Sequence, residues 1–136
     1  MKKLACVASV LAVVAASSLA ATDEQETPTI KEVMQKLHKG ANSPLAKLKT
    51  ALKADTPDWT SIQSLTKDFE KLGASLAKND PPKGEKDDFK KLADDYYKNA
   101  KALNGAAKEE NKTDAQAAFK KVSSSCAACH KAHKPD

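Results

Sequence analysis

From Thr27 onward the apolar residues recur at steps of three and four, and no stretch alternates with period two. β-Branched residues are few, so strands are not expected and an all-α chain is predicted. Thr27-Pro28 reads as a cap followed by a proline in the first turn, which opens a helix near Thr29. Its stripe is Ile30, Val33, Met34, Leu37, Ala41, Leu45, Leu48 and Leu52. Gly40, Asn42 and Pro44 interrupt it. Pro44 removes a helical hydrogen bond and crowds the preceding turn, so a kink or short break is predicted at Gly40–Ser43. Thr56-Pro57-Asp58 repeats the start signal, and Trp59, Ile62, Leu65, Phe69, Leu72 and Leu76 follow at helical spacing. After the Asn79–Gly84 connection a third helix is predicted from Glu85 to Asn104, with Phe89, Leu92, Ala93, Tyr96, Ala100 and Leu103 inward. Gly105 to Lys112 is expected to close it. Thr113 is expected to cap a fourth, with Ala115, Ala118, Phe119, Val122, Cys126 and Cys129 inward. Four such helices with short connections make an antiparallel up-down-up-down four-helix bundle.

The last helix carries Cys126-Ala127-Ala128-Cys129-His130 near its carboxyl end, the C-x-x-C-H spacing of c-type haem attachment. Two thiols one helical turn apart can form thioethers to both vinyl groups of one porphyrin. The imidazole that follows is placed to coordinate the iron, so one covalent haem c with His130 as proximal ligand is expected. In an antiparallel bundle the end of the last helix lies beside the start of the first. Met34 and His38 are therefore neighbours of the haem by topology.

The sixth iron position has three readings. Met34 would supply a thioether, which raises the potential and suits outer-sphere electron transfer. His38, one turn later, would give a bis-histidine iron of lower potential. A vacant position would leave the iron open to small ligands. His133 lies too close to His130 along the helix to reach the other side of the iron, and a supporting contact behind the iron ligands or a contact to a haem propionate is the most it offers. Two rivals compete for the motif. Cys126, Cys129, His130 and His133 form a nominal zinc set, but their spacing is far from that of a finger. A redox-active cysteine pair would want the positive amino end of a helix, and this one sits at the other end.

Export agrees with the haem reading. Met1-Lys2-Lys3 precedes an apolar run from Leu4 to Ala16 that is too short to span a bilayer, and Ser18-Leu19-Ala20 offers small residues for cleavage after Ala20. Residues 1–20 are read as a signal peptide, 21–28 as a flexible segment and 29–136 as one domain. Cys6 is not a lipidation site, because Lys3 stands where an apolar residue is needed. No membrane span remains after cleavage.

Composition excludes several classes. The mature chain keeps only Cys126 and Cys129, so it is no disulfide scaffold. Every one of the 23 basic residues is Lys, and removal of Lys2 and Lys3 leaves 21 against 18 acids, a formal +3. The lysines interleave with Asp and Glu, a solvated helical surface and not a nucleic-acid footprint. No arrangement of nucleophile, base and oxyanion donors is visible, so an enzyme is not expected. Aromatics make up 4% of the chain, and a buried haem would add several hundred Å² of apolar contact, on the order of several kcal/mol at ~25 cal/mol per Å².

With these features together the chain resembles the cytochrome c′ and class II cytochrome c family. The exported precursor, the four helices, Cys126-Ala127-Ala128-Cys129-His130 and the first-helix Met34 carry the resemblance. It implies a periplasmic monohaem protein, often a homodimer, with other periplasmic redox proteins as partners. Low-spin members use a first-helix methionine, which maps onto Met34; high-spin members leave the iron five-coordinate and bind nitric oxide or carbon monoxide. An electron carrier is the first functional expectation. A gas-binding protein and an electron-transfer subunit of a larger oxidoreductase are the alternatives. The family often has Arg one turn before that methionine, where this chain has Ile30. It also tends to follow the motif with an aromatic residue and Arg, where this chain has His133 and Lys134. A lysine there offers a point charge in place of a bidentate fork.

Overall fold

The structure, a computed structural model, describes residues 26–135. The proposed signal peptide and its cleavage after Ala20 lie outside the described residues. Five helices follow in order: α1 (Ile30–His38), α2 (Pro44–Ala51), α3 (Trp59–Leu76), α4 (Lys86–Lys108) and α5 (Lys112–His133). Among the described residues there is no strand, and no helix is long and apolar enough to cross a membrane.

The first predicted helix is two. Gly40 turns the chain at φ 90°, a conformation open to glycine. Ser43 then caps α2 through its Oγ, which accepts from the Ala46 amide at 3.3 Å, with Pro44 in the first turn. The helix starts also fall later than the cap-and-proline reading put them. Thr29 caps α1 in a reciprocal box with Glu32, whose carboxyl is held below its usual range by those hydrogen bonds. Asp58 caps α3 through the Ser61 amide.

Two further expectations are corrected. α4 continues through Gly105 to Lys108, although mid-helix glycine costs about 1 kcal/mol. Ala106 and Ala107 are buried there, and the Gln63 side chain donates to the Ala107 carbonyl at 3.1 Å, so packing carries the helix onward. The turn shrinks to Glu109–Asn111, and Asn111, not Thr113, caps α5 by accepting from the Asp114 amide.

Val33 and Leu37 of α1, Leu48 of α2, Ile62 and Phe69 of α3, Ala100 and Leu103 of α4, and Ala115 and Val122 of α5 are fully buried in one core. Ala41, predicted on the stripe, is exposed in the broken segment. α4 packs along α3 on one side and α5 on the other. The Gln63–Ala107 bond joins the start of α3 to the end of α4, and Phe89 near the start of α4 stacks on His133 at the end of α5, so each pair runs antiparallel. Asn79, just beyond α3, donates to the Pro28 carbonyl just before α1, which sets those two helices antiparallel as well. Inside the α3–α4 seam, Thr66 donates to Asn104 at 3.0 Å and Asn104 donates to Glu70, a polar layer whose buried members are paired.

Candidate functional site

Because α1 runs antiparallel to α3 and α5 returns along α4, the end of α5 comes to lie beside α1. A shallow cleft opens between them, lined by Ile30, Met34 and His38 from α1, Leu76 from α3, Phe89, Leu92, Ala93 and Tyr96 from α4, and Ser125, Cys126, Cys129 and His130 from α5. Met34, His38, Cys126, Cys129 and His130 therefore line one cleft. Its walls are mostly apolar, with polar groups from α1, α4 and α5.

Cys126 and Cys129 are free, partly buried thiols one turn apart on α5. Burial pushes both thiols above their ordinary range, and Cys126 and Asp88 push Cys129 further. Such thiols are poor thiolates, which goes against a redox-active cysteine pair. His130 has an exposed side chain at the rim, in the last turn of the helix. The zinc reading finds no support: among the described residues no group of three or more His, Cys, Asp or Glu could hold a metal ion, and His133 is engaged elsewhere. Its ring is buried, with Nδ1 2.8 Å from the Lys83 carbonyl and Nε2 3.2 Å from the Asp88 carboxylate.

Across the cavity, His38 is engaged where Met34 is not. Its Nε2 lies 3.1 Å from the Tyr96 hydroxyl, and its ring stands edge-on to Phe69, with centroids 5.7 Å apart. Burial, reinforced by Cys126, drives the Tyr96 phenol far above its ordinary range, so it stays a neutral O–H donor. We assign that hydrogen to His38 Nε2, which leaves the imidazole hydrogen on Nδ1. His38 Nδ1 is the one buried side-chain nitrogen or oxygen without a partner among the described residues. Burial, and secondarily the charge of His130, holds the His38 imidazole below its usual value. It is thus a neutral ring tied to α4. Tyr96 reaches this position because Gly73 on α3 leaves room: a Cβ there would meet its ring at 3.1 Å.

In the sequence Tyr96 reads only as core, Lys83 and Gly84 only as part of the Asn79–Gly84 connection, and Asp88 carries no signal. An aromatic side chain with a polar tip on an inward stripe is the one signal that could have marked Tyr96.

A c-type haem fits these residues. Two thiols one turn apart, the next imidazole, a thioether and apolar walls share a single cleft, a donor set matched to a covalently held porphyrin.

The last helix of this all-helical fold presents a C-x-x-C-H turn to an apolar cleft. The family model for cytochrome c′ matches residues 84–134, which span α4, its turn and α5. The fold is similar to that of cytochrome c′ from Thermochromatium tepidum, with a TM-score of 0.57 and 22% identity over 68% of this chain and 84% of that one. No curated protein matches the chain.

Proposed function

We propose that this chain is an exported monohaem c-type cytochrome that carries electrons between periplasmic proteins and is not itself an enzyme. Its helices are read as an up-down-up-down bundle in which α1 and α2 together make the first arm. When bound, the haem supplies a one-electron Fe(II)/Fe(III) couple. Cys126 and Cys129 would hold it through thioethers, and His130 and Met34 would be the ligands of its iron. Ile30, Leu76, Phe89 and Leu92 exclude water from the cleft.

One observation carries this reading: the two motif cysteines, His130 and Met34 line one apolar cavity although nearly a hundred residues separate α1 from the motif. Met34 is preferred over His38 because the Tyr96 hydroxyl occupies His38 Nε2 and, by that assignment, leaves the ring hydrogen on Nδ1, which would have to give it up to reach iron. A gas-binding iron with an open distal face is the competing outcome of the same test.

Mass spectrometry of the exported protein should show one covalent haem, and the spectra of both oxidation states should be low-spin. Met34→Ala should turn the iron high-spin. A high-spin wild type that binds carbon monoxide at once would overturn the electron-carrier reading, and absence of haem mass would overturn the whole proposal.

A further inference from the structure

His133 lies one turn beyond His130, in the last turn of α5, yet it is 3% exposed. Both of its ring nitrogens face oxygen acceptors, the Lys83 carbonyl at 2.8 Å and the Asp88 carboxylate at 3.2 Å. Its ring also stands edge-on to Phe89, with centroids 5.3 Å apart, and Phe89 is a wall of the cleft. The loop before α4 is shaped around it. Gly84 adopts φ 83°, and a Cβ there would fall 2.7 Å from His133 Nδ1 and 2.9 Å from the Ala132 carbonyl. A purely aromatic side chain could keep the stacking, but it would leave the Lys83 carbonyl and the Asp88 carboxylate without these partners.

We propose that His133 is a positioning residue for the haem-attachment turn: clamped between the Lys83 carbonyl and the Asp88 carboxylate, it fixes the end of α5 against the start of α4 and so sets the placement of His130. This rests on His130 being the proximal ligand. The helix end offers little else to hold it. His130 itself is exposed, and the backbone beyond it is tied by the Lys134 amide donating to the His130 carbonyl at 3.1 Å. Phe89, the Asp88 carboxylate and the loop at Lys83–Gly84 therefore form the outer support of the cleft.

The test uses the full-length exported holoprotein and three variants. His133→Phe keeps a ring on Phe89 and removes both hydrogen bonds; His133→Gln restores a donor toward Lys83; Asp88→Asn alters an exposed carboxylate and leaves the core intact. Two readouts are taken, amide exchange at residues 129–134 and the midpoint potential with the ferric electron-paramagnetic-resonance spectrum. His133→Phe should speed exchange there tenfold or more, leave α3 unchanged, and move both the potential and the spectrum. Asp88→Asn should move them the same way by less, and His133→Gln should recover part of the change. Faster exchange with an unmoved potential and spectrum would reduce His133 to a structural residue and overturn the proposal, as would unchanged exchange. Should His133→Phe fail to accumulate, Asp88→Asn decides on the same two readouts. Absence of haem mass in the wild type would instead defeat the functional reading, while the exchange data would still report on the clamp.

Discussion

Replacing Tyr96 by Phe removes one oxygen from a side chain that is 5% exposed, and the structure allows its cost to be worked out. The hydroxyl is the partner of His38 Nε2 at 3.1 Å, and His38 Nδ1 already has none. The variant therefore loses a hydrogen bond worth about 0.5–1.5 kcal/mol and strands a second nitrogen on a partly buried ring, where an unmade bond costs about 1–3 kcal/mol. Part of that second cost is relieved because His38 can tilt toward solvent. We expect a net loss of about 1–2 kcal/mol, which for a domain of this size lowers Tm by about 4–8 °C. Urea unfolding of the holoprotein followed by helical circular dichroism measures it directly. The companion variant is His38→Leu/Tyr96→Phe, in which both polar partners are gone and the orphaned nitrogen with them. It should lie within about 0.5 kcal/mol of wild type, so the two changes are coupled by about 1 kcal/mol or more. If Tyr96→Phe alone is as stable as wild type, or the double variant is worse than the sum of the singles, the hydrogen bond is not what holds His38 to α4.

The lowered pKa of His38 gives a pH signature. Since the folded ring resists protonation, the unfolded chain takes up the proton first as pH falls through about 6.5, and stability drops over that range. His38→Leu should flatten this part of the profile of urea midpoints, and parallel profiles would contradict the assignment. Gly84→Ala forces a Cβ into a left-handed turn and against His133, so a loss of at least about 1–2 kcal/mol is expected in thermal melts; an unchanged Tm would show that the loop rearranges freely. Phe69→Ala empties a fully buried site and should cost about 3–5 kcal/mol in urea unfolding, with less if the α1 end collapses onto it.

Much of the fold was legible because burial in a helix leaves a stripe. The residues predicted inward on α3 and α4 are buried or partly buried, and the break near Gly40 was readable from glycine and proline chemistry. Its completeness was not, since local signals do not say whether a helix bends or restarts. Helix ends were misjudged where tertiary contact outweighed local preference: Gly105 signals a stop, yet buried Ala106 and Ala107 keep α4 going. The site was legible to the extent that it is written in adjacent residues, as in Cys126 to His130, or on one stripe, as with Met34 and His38. The Tyr96–His38 and Asp88–His133 pairs join positions 58 and 45 residues apart, and nothing in a linear pattern brings them together.

The interruption at residues 39–43 has a consequence for how such a site could change over time. Met34 and His38 ride on a nine-residue helix anchored by Val33 and Leu37, while the C-x-x-C-H turn is built into the long α4–α5 hairpin. Swapping the groups opposite that turn then means editing a short, separately seated cassette, and the far wall need not be rebuilt to accommodate it.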